Sequence, residues 1–564
     1  MKNAVWWMLA LTLVQCASRP SGEQRSANDR AHVVAFVGVT VVPCDRDRVI
    51  EDQTVVVRDG RIVALGPSAT LPVPERAARI EGRGKFLMPG IAEMHGHLPD
   101  ANFPEQMLQL PLLVANGVTT VRGMMGAPNH LVLREQIARG DVLGPRLVVY
   151  GPAMNGRSSP TPEVAVEQVR RFKAAGYDGI KVHEGLSRET YDAIASEAKR
   201  LQIPLGGHVP NDVGIERVLA AGQKSIEHLD GYIEALARHE GPPANADTEL
   251  ARKPTPVGID SSVVLERVDE SKIPLLVAAT ARAGAVVVPT MVVWRTMFGD
   301  AKVESLKRLP ELVYMPPPEV ALWAEEKTND EKSATPDVEL RRLMHLRDEL
   351  LKAFADAKLV LLGSDAPQTF AVPGFSLRAE TQAMRGAGMT PWQIIESATI
   401  APARFLGFEE DSGTIEVGKR ADLLLLDGNP LVDVANIFRS SGVMLAGRWI
   451  GRAELDSMLA EVAKRARTAV KDVAIDEKEM LRLSGTYDVS KIGVQIGVER
   501  RDGTLVLLAR DAHGTQTFRL RSQGDGSFRI PEIGAKVTFE VQAGRVIAMV
   551  LAQRGDEIRA ERRR

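Results

Sequence analysis

The sequence has little cysteine, and its charges nearly cancel. Its two cysteines are Cys16 and Cys44, and Cys16 lies in or beside an N-terminal leader, so no internal disulfide is expected in the mature chain. A formal net charge of -2 gives no global field to attract nucleic acid or an anionic membrane. The composition, 44% hydrophobic and 26% charged, is typical of a folded protein. A chain of 564 residues is too long for one core, so two or three domains are expected.

The chain also lacks a long apolar run. After Lys2, the run AVWWMLALTLV is too short for a comfortable membrane span, whereas its composition is typical of a secretory signal over residues 1–18. LVQC resembles a bacterial lipobox, although Gln15 stands where a small residue is usual. Two forms therefore stay open. One is a lipoprotein whose only membrane attachment is a lipid on Cys16, and the other is a freely exported periplasmic or extracellular protein.

Apolar periodicity divides the rest of the chain. Residues 33–86 and 410–452 alternate apolar and polar residues with frequent turns, which predicts antiparallel β structure. Between them, residues 87–409 alternate short apolar strands with amphipathic helices. This pattern predicts an α/β fold, a (β/α)8 barrel, flanked by a β-sandwich that both ends of the catalytic region form together.

Eight barrel strands are predicted, at residues 88–95, 118–124, 146–152, 179–184, 203–209, 225–230, 285–291 and 359–365. After the barrel, residues 453–483 read as a helical connector. Alternating runs with Asp-Gly turns in residues 484–564 predict a separate antiparallel β domain of meander or small-barrel type. That last domain carries no catalytic constellation, so a structural or accessory role is expected.

Four histidines fall at the ends of predicted barrel strands. His95 and His97 lie two apart in EMHGH, so both side chains point to the same face of the first strand and can reach one cation. His208 and His228 end two later strands. In such barrels the residues at the carboxyl ends of the strands do the chemistry. Imidazole suits zinc, iron, manganese or nickel, which makes a metal site the prediction.

Asp365 and Lys181 complete this set. Asp365 ends the eighth strand, where it could cap a following helix, or ligate a metal and accept a proton from an attacking water. The histidines favour the second role. An ammonium cannot bind a cation, so Lys181, at the end of the fourth strand, is by itself a structural or anion-binding residue.

The chain resembles the amidohydrolase superfamily, in particular its imidazolonepropionase-like and Xaa-Pro dipeptidase-like secreted branch. The resemblance covers roughly residues 33–452 and rests on PGIAEMHGH, GVTTVR, GIKVHEG, GGHVP, IEHLD, GSDAP and SGTIEVGKRADLLLLDGNP. It implies two divalent metal ions, zinc foremost, bridged by a carboxylated Lys181. In that assignment His95, His97 and Asp365 hold one metal, while His208 and His228 hold the other.

Two residues depart from the family pattern, and two more are candidates for substrate binding. Glu93 stands where the family usually has aspartate, and Gly123 where it commonly has aspartate. His183 lies two residues after Lys181 on the same strand face, and could contact substrate or be a satisfied histidine of the rim. Arg122 ends the second strand and could pair with a substrate carboxylate or form an ion pair within the barrel.

The resulting hypothesis is a metal-dependent hydrolase acting on a carbon–nitrogen bond. Its substrate would be a small molecule such as a dipeptide, an N-acyl amino acid or a cyclic amide, with Asp365 as the catalytic proton carrier. Lactone or phosphoester hydrolysis by the same kind of site stays open, because pocket loops set specificity. A degenerate barrel acting as an envelope binding or scaffold protein is the alternative from another class. No nucleic-acid partner is expected.

Overall fold

The computed structural model describes residues 33–100, 105–237, 265, 268–299, 301–332, 337–469, 471–489, 494–501, 503–511, 514–530, 534–553 and 556–563. The predicted signal segment, residues 1–18 with Cys16, lies outside these ranges. Cys44, by contrast, is described, and it is a buried free thiol.

The strands are, in chain order, β1 Val33–Val41, β2 Ile50–Arg58, β3 Arg61–Pro67, β4 Ala78–Glu81, β5 Phe86–Pro89, β6 Ile91–Gly96, β7 Val118–Gly123, β8 Arg146–Val149, β9 Ile180–Val182, β10 Leu205–Gly207, β11 Ser225–Glu227, β12 Val286–Val288, β13 Leu423–Leu426, β14 Ser440–Leu445, β15 Arg448–Gly451, β16 Gly485–Val489, β17 Val494–Arg501, β18 Thr504–Asp511, β19 Gly514–Ser522, β20 Phe528–Ile530, β21 Ala535–Gln542, β22 Arg545–Gln553 and β23 Asp556–Arg562.

The α-helices are α1 Gln109–Ala115, α2 Pro128–Arg139, α3 Pro162–Ala175, α4 Arg188–Arg200, α5 Ile215–Ala221, α6 Tyr232–Ala237, α7 Ile273–Ala283, α8 Met291–Val293, α9 Val303–Leu306, α10 Pro317–Lys332, α11 Asp337–Asp356, α12 Ser376–Gly386, α13 Pro391–Ala398, α14 Ile400–Phe405, α15 Arg452–Ala469 and α16 Glu477–Leu483. Short 3-10 turns cover Gln106–Leu108, Glu270–Lys272, Pro310–Tyr314 and Val434–Phe438, and Trp294–Phe298 forms a π-helical turn.

Parallel strands β6 to β12 build the wall of the catalytic barrel. β6, β7 and β8 form one ladder and β9 to β12 another, and a bridge from Tyr150 to Gly179 joins the two. The helices that alternate with these strands bury one apolar face against them, as in α3, where Ala165, Val169 and Phe172 are buried. The α/β barrel architecture predicted from the sequence is confirmed.

The eighth barrel segment is less regular than the predicted strand 359–365. Val360 pairs with Val287 of β12 as an isolated bridge, and the chain then runs on beside β6. The Met94 amide donates to the Leu362 carbonyl at 2.9 Å, and the Asp365 amide donates to the His95 carbonyl at 2.7 Å. These bonds close the ring between β12 and β6 and place Asp365 next to His95.

Both ends of the catalytic region meet in one flanking sheet. Its strand order is β15-β14-β13-β5-β1-β2-β3, with β4 also paired to β1. β13, from the end of the region, lies antiparallel to β5, from its start, with Leu425 opposite Leu87. The sheet has its own apolar core, built from both segments, which includes Phe36, Val55, Leu423 and Met444. The predicted composite β unit is thus formed by strands more than 300 residues apart.

The C-terminal strands β16 to β23 close into an antiparallel barrel, with β23 returning to pair with β16. Alternating residues such as Val498, Leu507 and Val537 point inward and are buried, which is the reason for the two-residue period seen in the sequence. α15 and α16 connect this barrel to the catalytic region. Across the described residues, none of the helices is both long and apolar enough to span a bilayer.

Candidate active site

The predicted ligands converge at one end of the catalytic barrel. His97, His208 and His228 each directly follow the last residue of a strand, namely β6, β10 and β11. His95 lies within β6, and Lys181 is the central residue of β9. Because parallel strands of a barrel all end at the same mouth, side chains from distant parts of the sequence meet there.

His95, His97 and Asp365 form a compact group. Their ligand atoms all lie within 4.8 Å of one another. Asp365 Oδ1 is 2.6 Å from His97 Nε2 and 3.2 Å from His95 Nε2. Burial raises the pKa of Asp365, but His95 and His97 outweigh it and hold that pKa well below its usual value. Two imidazoles and an ionised carboxylate are a donor set that suits a divalent transition metal.

The remaining two histidines lie beside this group. The His228 ring centroid is 4.6 Å from that of His95 and 4.6 Å from that of His208. Burial lowers the pKa of His208 and His228 well below the usual value, and the nearby Lys181 and histidines act in the same direction. Both rings are therefore neutral at physiological pH, with a lone pair that a metal can use.

Three of the histidines are oriented through Nδ1. His95 Nδ1 lies 2.7 Å from Glu227 Oε2, and His208 Nδ1 lies 2.8 Å from Asp230 Oδ2. His228 Nδ1 lies 2.7 Å from Thr290 Oγ1. Carboxylates beside Nδ1, as at His95 and His208, favour the tautomer that presents Nε2 to a metal, which is how metal-binding histidines are usually held. This feature distinguishes the cluster from histidines that merely pack together.

The backbone around the site adopts uncommon conformations. His228, Thr290 and Asp365 have φ values of 61°, 46° and 62°, in the left-handed region that non-glycine residues rarely enter. The His228 amide donates to the Val288 carbonyl at 2.8 Å, and Arg347 donates to the His228 carbonyl. Such strain persists where surrounding contacts impose it, and it is concentrated at functional sites.

Gly363, in the GSD motif, permits the close approach of the eighth segment to β6. A Cβ at this position would lie 2.7 Å from the His95 backbone nitrogen and 2.6 Å from a Val288 methyl group. Any side chain here would push Asp365 away from His95. The glycine is therefore a spatial requirement of the ligand cluster.

Lys181 is 2% exposed in the middle of the barrel mouth. Burial lowers the pKa of its amine, and Glu227 and Asp365 only partly oppose that effect. A neutral buried amine is the form that reacts with carbon dioxide. The unmodified amine is not itself a ligand for a cation, and a bridging role after carboxylation stays a prediction.

Arg122 requires a correction to the predicted substrate contact. Its guanidinium is fully buried inside the barrel, below the mouth, where it donates to Glu227, to Ser225 Oγ at 2.8 Å and to the Met94 carbonyl at 2.6 Å. These bonds use both of its outer nitrogens. Arg122 is the ion-pair partner of Glu227 within the barrel, and no face of it reaches a substrate carboxylate.

His183 does lie at the mouth. Its ring centroid is 4.1 Å from that of His208, and its Nδ1 accepts the Glu184 amide at 2.8 Å. Burial, together with Lys181, lowers the pKa of His183 to about 4, so the ring is neutral. The side chain is half-buried beside the ligand cluster, and contact with a substrate stays a prediction.

Glu93 is used structurally. Its carboxylate accepts the amides of His95 at 3.0 Å and Ser364 at 2.9 Å, and the Ser364 hydroxyl at 2.5 Å. The glutamate side chain thereby joins β6, which carries His95, to the eighth segment, which carries Asp365. Gly123, the other departure, leaves room for Leu98, because a Cβ there would lie 2.5 Å from its side chain.

Sequence reasoning missed the residues that hold the ligands. Glu227, Asp230 and Thr290 were not singled out, and each contacts a ligand histidine through Nδ1. A signal was available in IEHLD, where two acids flank His228 at positions one before and two after it. Acidic residues in an otherwise apolar strand need a buried partner, and here the partners are histidines and Arg122.

A cavity of about 330 Å³ opens beside the cluster. His97 and Pro367 line its inner end, and Trp323 and Glu319 of α10 line one wall. The opposite wall comes from the C-terminal barrel, with Arg529 and neighbouring residues. A space of this size next to metal-binding side chains is suited to a small-molecule substrate.

The sequence is similar to a known protein family and to known enzymes. The family described as "Amidohydrolase family" matches residues 86–450. A 5-methylthioadenosine/S-adenosylhomocysteine deaminase of Caldanaerobacter subterraneus subsp. tengcongensis is 23% identical over 478 residues, covering 77% of this chain and 98% of that protein. An imidazolonepropionase of Symbiobacterium thermophilum is 26% identical over 418 residues, which cover 67% of this chain and 84% of that protein.

Among solved structures, a Xaa-Pro dipeptidase with methionine bound in its active site is similar in fold, with a TM-score of 0.53 at 19% identity. The match covers 74% of this chain and all of that one. The family match, residues 86–450, spans the barrel and β5, β13 and β14 of the flanking sheet. The predicted enzyme class, a hydrolase of carbon–nitrogen bonds, is confirmed. The chain belongs to the amidohydrolase family.

Proposed function

We propose that this protein hydrolyses an amide-type bond of a small substrate with two divalent metal ions held at the barrel mouth. The observation that carries the proposal is the orientation of the histidines. Three of them have Nδ1 within 2.8 Å of a side-chain oxygen of Glu227, Asp230 or Thr290, which leaves Nε2 of each ring available to a metal. Packing alone would not place a polar side-chain oxygen against Nδ1 in each of three different histidines.

The donor chemistry fits two metal positions. His95, His97 and Asp365 supply one set, whose atoms already lie close enough to share an ion. His208 and His228 supply a second set beside it, with neutral rings. Zinc is the first choice for imidazole with carboxylate, and manganese, iron and nickel share similar ligand preferences.

Lys181 would connect the two sets after carboxylation. Its neutral amine would attack carbon dioxide, a C–N bond would form and one proton would leave, so that an anionic carbamate replaces the neutral amine. A carbamate at this position would supply oxygen donors for the metal ions. Burial of Lys181 at 2% exposure protects the carbamate from exchange with solvent.

The chain's own residues can then carry the proton transfer. Bound divalent metals lower the pKa of a water and polarise a carbonyl oxygen. Asp365, ionised and 2.6 Å from His97, accepts the proton of the attacking water and delivers it to the leaving nitrogen. His183, beside His208 at the rim, is placed to hydrogen-bond the substrate.

For the substrate class we favour a dipeptide, an N-acyl amino acid or a cyclic amide. The motif resemblance to imidazolonepropionase-like and dipeptidase-like sequences supports this range, and so does the cavity of about 330 Å³, which matches a molecule of dipeptide size. We also propose that the protein is exported, either free or lipid-anchored at Cys16. That proposal is supported by the N-terminal sequence.

The metal content of the purified chain tests the proposal. Protein produced with isotope-labelled bicarbonate and without chelator should contain about two divalent metals per chain by elemental analysis. It should also carry one labelled carbamate by NMR, and should hydrolyse members of a dipeptide and N-acyl amino acid panel.

Lys181→Ala should lose the carbamate signal and most of the metal, whereas Lys199→Ala, at an exposed position of α4, should behave as the parent protein. A folded chain that binds no metal even after reconstitution would overturn the proposal. About one metal per chain with turnover retained would keep the hydrolase and remove the bridging role of Lys181.

A further inference from the structure

The cavity beside the metal cluster is walled by two different domains. His97 lies at its inner end, and Trp323 and Tyr314 lie on the catalytic side. Ile530 and Gly534, which lie more than 400 residues beyond His97 in the sequence, form the facing wall. The family match ends at residue 450, so the C-terminal barrel is an addition that this chain places directly against its substrate cavity.

An ion pair fixes that wall in place. Arg529, in β20, contacts Glu105, in the segment that follows β6, at 3.1 Å, and the two side chains are only 13% and 12% exposed. A charge pair that is nearly buried has a well-defined geometry, because separating the partners leaves an uncompensated charge. The C-terminal barrel is therefore held at the barrel mouth by a specific contact.

The cavity lining is acidic. Among the described residues that line it are four carboxylates, those of Asp100, Glu105, Glu319 and Glu326, and one guanidinium, that of Arg529. With four carboxylates against one guanidinium, the formal charge of these lining side chains is negative. Burial raises the pKa of Glu319 to about 7, with Glu105 acting in the same direction, and a nearby cation would reverse that effect.

A second observation also indicates a donor-bearing ligand. Gln109, at the start of α1, lines the cavity and is 8% exposed, and its Oε1 has no hydrogen-bond partner among the described residues. A buried amide oxygen without a donor is costly, so such atoms are usually satisfied by a ligand or a water. Trp323, on the same lining, offers an aromatic surface of the kind that attracts cations.

We propose that the catalytic barrel and the C-terminal barrel together form a subsite that accepts a cationic group of the substrate, an ammonium or a guanidinium. This inference rests on the proposed function and deepens it, because it names the charge of the substrate portion that extends from the metal cluster. The Glu319 and Glu326 carboxylates and the Gln109 oxygen receive the donors, while the C-terminal barrel closes the subsite. The addition of that barrel thereby narrows the range of substrates.

Calorimetric binding of L-arginine and L-citrulline to the metal-loaded full chain tests the subsite. The two ligands have nearly the same shape, but the citrulline side chain is uncharged. Arginine should bind at least about tenfold more tightly than citrulline, a difference of about 1.4 kcal/mol. The double variant Glu319→Gln with Glu326→Gln should lose that preference, whereas Glu325→Gln, exposed on the same helix and outside the cavity lining, should keep it.

The contribution of the C-terminal barrel is tested with two matched glycines. Both Gly534 and Gly503 have positive φ, at 56° and 72°, so a lysine at either position carries a similar backbone strain. A Cβ at Gly534 lies 3.6 Å from Gln106 Nε2 across the cavity, while at Gly503 it meets only open space. Gly534→Lys should abolish the preference for arginine, and Gly503→Lys should leave it unchanged.

Binding is measured without turnover, so the result does not depend on whether an amide is hydrolysed. Equal affinity for the two ligands, binding of neither, or an equal effect of the two glycine variants would overturn the subsite. If arginine is preferred as expected but no amide in the panel is cleaved, the subsite stands and the proposed reaction fails instead.

Discussion

His95 Nδ1 and Glu227 Oε2 lie 2.7 Å apart, and neither side chain is more than 1% exposed. Glu227 also receives the guanidinium of Arg122 at 2.9 Å and the Ser225 hydroxyl at 2.6 Å. Burial raises the pKa of Glu227, but Arg122 and His95 outweigh it and hold that pKa well below its usual value. An ionised carboxylate deep in the barrel therefore fixes the orientation of His95, a candidate metal ligand at the mouth.

Glu227→Gln should weaken both metal binding and stability. The amide no longer balances the buried charge of Arg122, and breaking a buried ion pair costs about 3–5 kcal/mol. Loss of the carboxylate behind His95 should lower metal affinity about 10- to 100-fold, measured by competition with a chelator. Glu216→Gln, at an exposed position of α5, is the control, and an unchanged affinity in Glu227→Gln would contradict the orienting role.

Asp365→Asn should remove most of the activity while preserving the fold. The asparagine oxygen can still contact His97, but it cannot accept the proton of the attacking water, and general-base catalysis typically contributes about 10²- to 10⁴-fold. Turnover on any substrate that the parent cleaves is the measurement, with metal content recorded in parallel. Asp47→Asn, at an exposed position between β1 and β2, should leave turnover and metal content unchanged. A fully active Asp365→Asn enzyme would refute the assigned proton carrier.

Removal of metal should lower the thermal midpoint of the catalytic domain. A ligand that binds only the folded state adds about 2.7 kcal/mol to its stability at a hundredfold excess over its Kd. The midpoint should fall on dialysis against chelator and recover when metal is restored. In His208→Ala, removal of metal should lower the midpoint by less than in the parent protein. In His345→Ala, whose side chain is 58% exposed, it should lower the midpoint by as much as in the parent. An identical shift in both variants would argue against His208 as a ligand.

The positions of the ligands were predictable because a parallel barrel brings strand ends together. His95, His97, His208 and His228 each lie at or just beyond such an end, and Asp365 lies in the irregular eighth segment, so the sequence order of strands was enough to group them. The strand bounds were less exact. The eighth segment in particular forms one bridge at Val360, because Gly363 and Ser364 give it a close approach to β6 instead of a regular ladder.

The sequence left two placements of Arg122 open, a substrate contact and an ion pair within the barrel, and the ion pair is the one observed. Arg122 precedes the last residue of β7, and alternation along the strand sends its side chain into the barrel interior toward Glu227, over 100 residues away. The cavity wall that the C-terminal barrel forms was even less predictable from the sequence. Glu105 and Arg529 are 424 residues apart, and their contact depends on how two domains pack, which local periodicity does not encode.

Glu380 should give the stability of the metal-free protein a measurable dependence on pH. Its carboxylate is fully buried, and it accepts the amides of Met291 at 3.0 Å and Val292 at 2.7 Å. Burial nevertheless raises its pKa from 4.5 to about 8. The folded state then binds the proton more tightly than the unfolded state, so this contribution to stability is complete below the unfolded pKa and is lost as pH rises toward about 8.

The thermal midpoint of the metal-free chain should therefore fall between about pH 5 and about pH 8, and Glu380→Gln should reduce that fall. Glu319, whose pKa burial raises to about 7, acts in the same direction, so part of the fall should remain in Glu380→Gln and shrink further when Glu319→Gln is added. Glu325→Gln should retain the parent slope. The comparison uses slopes, because weakening of one of the two amide contacts by the glutamine lowers the midpoint equally at every pH. Parallel slopes for the parent and Glu380→Gln would show that the Glu380 carboxylate does not titrate in this range.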